Sequence, residues 1–162
     1  MLVVGVAFYQ VILAVHIMAV VVTFGVIFAY PVIQLVGYRL DPRALPWHHQ
    51  VQRLIGQRLI SPGLLLILLA GIYLASKLHQ WSYFYVQWGL AIVIIIGALG
   101  GLFFSPNEKR MAELAERDLA SAGGGAVVWS EEYLAVRRRH MAVAIGVAIL
   151  VLVTIYLMTV RT

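Results

Sequence analysis

The sequence predicts an all-α integral membrane four-helix bundle, and three observations predict it. Hydrophobic residues make up 62% of the 162-residue chain and charged residues only 12%, more apolar than a water-soluble core of this size requires. Four segments, approximately 2–36, 59–76, 83–104 and 141–160, approach or exceed the roughly 20 residues of helix that cross about 30 Å of hydrocarbon. The cations are parcelled between those segments: Arg39, Arg43, Arg53 and Arg58 in 37–58, and Lys109, Arg110, Arg117, Arg137, Arg138 and Arg139 in 105–140. Lys77 and Arg161 alone fall on the other side, so the positive-inside rule places 37–58 and 105–140 in the cytoplasm and both termini outside. The whole chain, 1–162, reads as one transmembrane domain.

Helix one lacks a basic leader and is far longer than the hydrophobic stretch of a signal peptide, which favours a retained span. At 1.5 Å per residue it is about 50 Å long, so it tilts, kinks at Pro31 or projects beyond the bilayer. Asp41 and Pro42 supply a cap and a first helical residue for an interfacial segment that leads into helix two. Ser61, Pro62 and Gly63 mark a distortion at the inner end of that helix. Trp81, Tyr83, Phe84, Tyr85 and Trp88 form an aromatic belt at the outer surface. In helix three, Gly97 and Gly101 have the four-residue spacing that permits close helix approach.

The sequence Ser105-Pro106-Asn107-Glu108 has the spacing of a capping box, predicting that a separate amphipathic cytoplasmic helix starts there between helices three and four. Met111, Leu114, Ala115 and Leu119 fall on one face of it and Lys109, Glu113, Glu116 and Arg117 on the other, so it lies on the membrane or packs against the first loop. Gly123, Gly124 and Gly125 end it, and Ser130 with Glu131 and Glu132 starts helix four.

The absence of cysteine excludes disulfides, thiolate metal sites, iron–sulfur clusters and covalent c-type haem. The net charge of +5 is explained by topology, and no nucleic-acid partner is expected. The expected partners are the lipid bilayer and, within it, a second copy of the chain or a larger membrane complex. No acidic residue lies in any span, which argues against a carboxylate-driven proton pump.

An ionisable side chain at bilayer depth is costly and marks a functional-site hypothesis. His16 is such a residue, and Tyr9, His16, Thr23 and Tyr30 recur every seven residues, forming one slowly drifting polar stripe that should face other helices. Three roles fit the imidazole: an interhelical hydrogen bond, ligation of a b-type haem, or a proton relay or other metal site. For haem, Tyr9, Thr23, Gln87 and Tyr73 are the expected lining residues. A second ligand is not obvious, and a shallow site joining His16 to His79 through a bend in helix one is one arrangement, five-coordinate iron the other. The rival from another class is a structural, assembly or permeation protein whose stripe packs between helices or lines a path.

The run from His16 to Phe28 resembles the first helix of small bacterial membrane proteins that include the copper-resistance D domain, the HemJ-type protoporphyrinogen oxidases and an uncharacterised four-helix family. The resemblance continues through Arg58-Leu59-Ile60-Ser61-Pro62-Gly63, Gly71, the tryptophan-rich second turn and Val160-Arg161. It implies a bacterial cytoplasmic membrane location, and a helix-one histidine, matched by His16, associated with haem or porphyrin. The lysine that the HemJ type requires early in helix three corresponds most nearly to Gln87, so the likeness extends to tetrapyrrole binding more readily than to oxidase turnover.

Overall fold

The computed structural model describes residues 2–160, with side chains of the first helix described from Phe8 onward. Among those residues it is helical apart from short connections and contains no strand, and its four long helices are each long and apolar enough to cross a membrane. The helices are α1 (Leu2–Leu40), α2 (Leu45–Ile55) continuing into α3 (Ser61–Lys77), α4 (Phe84–Leu99) continuing into α5 (Ser105–Ala122), and α6 (Glu131–Val160). Neighbours follow chain order: α1 lies on α3, α3 beside α4, α4 on α6, and α6 returns to α1. Ala19, Phe24, Leu64, Ile67, Ile92, Ile96, Val147 and Val151 fill the space between them. Large apolar side chains such as Val21, Leu65, Ile94 and Leu152 are exposed on the outside of the bundle.

The polar stripe of α1 faces α3, and glycine receives it. A Cβ added at Gly71 would stand 3.4 Å from the His16 ring, and one added at Gly63 would stand 2.1 Å from Thr23 Oγ1. Seven residues forward on α1 therefore match eight back on α3, the register of two closely packed antiparallel helices. Farther along, the Tyr30 hydroxyl donates to the Gln52 carbonyl at 3.3 Å, and Gly37 makes room for His48, whose Nε2 would lie 3.4 Å from an added Cβ. Close approach of this kind maximises dispersion contacts where no hydrophobic effect drives one helix onto another.

Neither Ser-Pro pair interrupts its helix. A single π-helical turn, Gly56–Ile60, joins α2 to α3, and another, Gly100–Phe104, joins α4 to α5. Each ends at the same motif, Gly-x-x-x-x-Ser-Pro, in which the serine N–H reaches back five residues to the glycine carbonyl. The cause is the proline: it lacks an N–H and its ring crowds the carbonyl four residues before it, so the helix widens by one residue to pass. The expected capping box therefore does not form, because Ser105 is helical and its hydroxyl instead accepts hydrogen bonds from Arg53 Nε at 3.4 Å and Gln57 Nε2 at 3.1 Å. α5 is a continuation of the third long helix.

Beyond the apolar spans, α2, α5 and the start of α6 form a second small core of Leu45, Met111, Leu114, Ala115 and Tyr133. The apolar face of α5 thus packs on α2, one of the two placements the sequence left open. Asp41 caps the turn before α2 by accepting from the Arg43 N–H, and Gly123 ends α5 in the left-handed conformation. Ser130 Oγ accepts from the Tyr133 N–H at the start of α6, while Asp118 accepts from the Ser130 N–H at 2.8 Å. Arg110 and Arg117 both pair with Glu132 across the surface.

The α1–α3 register makes a quantitative prediction. Ala is about 0.8–1.0 kcal/mol better than Gly within a helix, but overpacking costs typically 1–3 kcal/mol, so Gly63→Ala should destabilise the protein. Thr23→Ala removes the atom nearest the new methyl group and should recover part of the loss in the double variant. Unfolding in mixed micelles measures both, and a neutral Gly63→Ala would contradict the register.

Candidate functional site

A cavity of about 300 Å³ lies where the four helices meet at the basic end of the bundle. Ile27, Pro31, Leu64, Ile96 and Val147 give it apolar walls, and Tyr30, Gln34, Arg53, Gln57, Ser105, Glu108 and His140 give it polar ones. Both π-turns border it, as single π-turns within α-helices frequently do at functional sites. Gly97, Gly100 and Gly101 complete the wall. A Cβ at any of them would meet nothing within 4 Å, so the Gly97/Gly101 pair leaves space open and does not mediate the close helix contact expected of it.

Several polar groups of this region are buried without a partner. Gln34 donates from Nε2 to Gln52 Oε1 at 2.9 Å, leaving Gln34 Oε1 and Gln52 Nε2 unbonded; His140 Nδ1 is likewise unbonded. Gln34 and His140 are 3% and 5% exposed, and a buried polar group left unsatisfied costs on the order of 1–3 kcal/mol. Glu108, also 5% exposed, sits one turn past the apolar span of helix three, and among the described residues no cation lies within salt-bridge distance of it. Burial pushes its carboxyl up to about 8 against the opposing pull of Arg53, so the acid is mostly neutral at pH 7. The arrangement is suited to holding a molecule with both polar and apolar parts.

Residues singled out by sequence lie elsewhere. His16 is packed on Gly71 with Nδ1 buried and unbonded, and Thr23 is 1% exposed against Gly63. Tyr73 is half-buried and meets Phe8 edge-on at 5.6 Å, and Tyr9 is half-buried near the same end. Gln87 is exposed and donates to the Trp81 carbonyl at 3.1 Å, closing the turn between α3 and α4. His79 is exposed in that turn with φ of 55°, eight residues beyond the Gly71 on which the His16 ring packs. The fold therefore brings His16 and Thr23 onto one helix interface, while His79 lies in the turn that follows α3 and Gln87 in the first turn of α4. None of them lines the central cavity. Among the described residues no group of three or more His, Asp or Glu is placed to hold a metal ion.

Gln34, Arg53, Glu108 and His140 are far apart in sequence and share no periodicity, so sequence pattern does not bring them together. One signal did mark them: the repeated Gly-x-x-x-x-Ser-Pro at Gly56 and Gly100, each followed or preceded within a turn or two by a lining polar residue.

No family model matches this chain, and neither a curated protein nor a solved structure is significantly similar to it.

Beside the cavity, His49 is 1% exposed and its Nε2 lies 3.1 Å from the Tyr133 hydroxyl. Burial first, and then the neighbouring His140, hold its imidazole down from 6.5 to about 4. Between those two values the unfolded chain takes up a proton that the folded one refuses. Stability is whole above pH 6.5 and declines as pH falls toward 4, by on the order of 3 kcal/mol for this one group. Unfolding at pH 7.5 and pH 4.5 should show a smaller acid loss in His49→Asn than in the parent; equal losses would contradict the assignment.

Proposed function

We propose that this chain is a multi-pass protein of a bacterial cytoplasmic membrane, with α2, α5 and the first turns of α6 in the cytoplasm and both termini outside, and that it binds a small ligand in the four-helix cavity. The observation that carries the reading is the coincidence in one place of an open volume, two π-turns and buried polar groups without partners. Polar groups inside a membrane bundle are ordinarily satisfied, and unsatisfied ones facing a cavity await a partner. The topology is supported by the cations, ten of which lie in the two segments at the cavity end. A homo-oligomer or a larger complex remains compatible with this reading, since the cavity lies within one chain.

A second reading keeps b-type haem or a related tetrapyrrole on His16, favoured by the unbonded Nδ1 of that ring. It requires α1 and α3 to part at Gly71, whereas the cavity reading requires no rearrangement.

One preparation separates the two. The protein is extracted from haem-replete cells in mild detergent and examined by native mass spectrometry and visible absorption. The cavity reading expects one co-purifying small molecule per chain, lost when Gly97 and Gly101 are both replaced by leucine, and no Soret band. A bare chain mass overturns it. A Soret band that vanishes in His16→Ala would establish the tetrapyrrole reading instead.

A further inference from the structure

The cavity has a side entrance. Of the residues that line it, the exposed ones are Gln57 and Ser61 on one wall and Gly97 and Gly101 on the other, all on the facing edges of the second and third long helices. The opening therefore lies between α3 and α4, at the level of the two π-turns. That level is the basic-end boundary of the apolar runs 59–76 and 83–104 read from the sequence, since Ser61 lies near the start of the first and Gly101 near the end of the second. Leu59, Leu65 and Leu102 flank it as exposed apolar side chains, so the mouth opens on the surface that meets acyl chains.

Charge gives the interior a polarity. Arg53 lies at the polar end, half-buried, and among the described residues no carboxylate is within 4 Å of its guanidinium. Its recorded side-chain bond is the long one from Nε to Ser105, so its terminal nitrogens are available as donors. Glu108, kept neutral by burial, does not offset that charge. Gln57, beside it, contributes an amide that already reaches across the mouth to Ser105. Away from this end the walls are Leu64, Ile96 and Val147, all buried and apolar.

Resting on the cavity reading, we propose that the ligand is a single-chain anionic amphiphile that enters sideways from the inner leaflet, placing a carboxylate or phosphate head on Arg53 and Gln57 and its alkyl chain against Leu64, Ile96 and Val147. The volume of about 300 Å³ stands at the lower end of small-molecule sites, which suits one alkyl chain and excludes a two-chain phospholipid as the fully enclosed guest. A guanidinium at the head is the donor best matched to either oxyanion.

The test uses the full chain in nanodiscs of neutral phosphatidylcholine, titrated with radiolabelled dodecanoate, dodecyl phosphate and dodecylamine. The expected result is saturable binding of one anion per chain and none of the amine, with the better of the two anions identifying the head group. Arg53→Gln should weaken anion binding about tenfold to a hundredfold, and replacement of both Gly97 and Gly101 by leucine should abolish it. Helical content and monodispersity are checked for each variant. Ser61→Leu narrows the same mouth from the opposite wall should the double replacement misfold. Binding of the amine as tightly as the anions, or indifference to Arg53→Gln, overturns the anionic class. Binding unchanged by filling the mouth from either wall overturns the cavity reading itself.

Discussion

The fit of a polar stripe on α1 into glycines on α3 sets everything else in this bundle. Apolar side chains gain nothing by leaving lipid for one another, so helix pairing inside hydrocarbon depends on backbones coming close and on polar groups finding shelter. Gly63 and Gly71 supply both: they let α3 approach α1, and they receive Thr23 and His16 away from the outer surface. With that pair fixed, the remaining length of α1 carries Tyr30 and Gln34 to Gln52, where they bind a carbonyl and an amide. The register chosen near the aromatic end thus decides which side chains meet at the basic end.

There the helices stop closing on one another. Two serine–proline pairs, one in each of the second and third long helices, force widened turns, and Pro31 in α1 removes one more backbone donor at the same depth. Glycines on the third helix leave the gained space unfilled. Below the cavity the helices pack tightly again, with Leu45, Met111, Ala115 and Tyr133 forming a floor outside the apolar spans. A rigid pair on one side and a well-packed cap beneath hold open a volume that simple hydrophobic patterning would have filled.

The all-helical architecture with four long apolar helices is legible in the sequence, because four apolar runs are a strong, additive signal. The seven-residue stripe also pointed to the interface it occupies, since periodicity reports which residues share a face. It could not report depth of contact or the presence of a cavity. Thr23 and Gly63 are forty residues apart, and only tertiary contact shows that one exists for the other. Ser105 illustrates the opposite limit: its local pattern fits a helix start, yet continuous helix from α4 and bonds from Arg53 and Gln57 override the local preference. Glu108, whose spacing from Ser105 fits the other half of that cap, stands instead as a buried acid on the cavity wall.

The natural absence of cysteine permits a direct measurement of the constraint from which this account proceeds. Cysteines placed at Thr23 and Gly63 would have Cβ atoms about 3.2 Å apart, close to the range a disulfide bridges. Mild oxidation in membranes should cross-link that pair rapidly and leave the pair Thr23 and Ile67, one turn out of register, mostly reduced. Faster cross-linking of the second pair than of the first would show that α1 and α3 meet in another register, and the cavity built on this one would go with it.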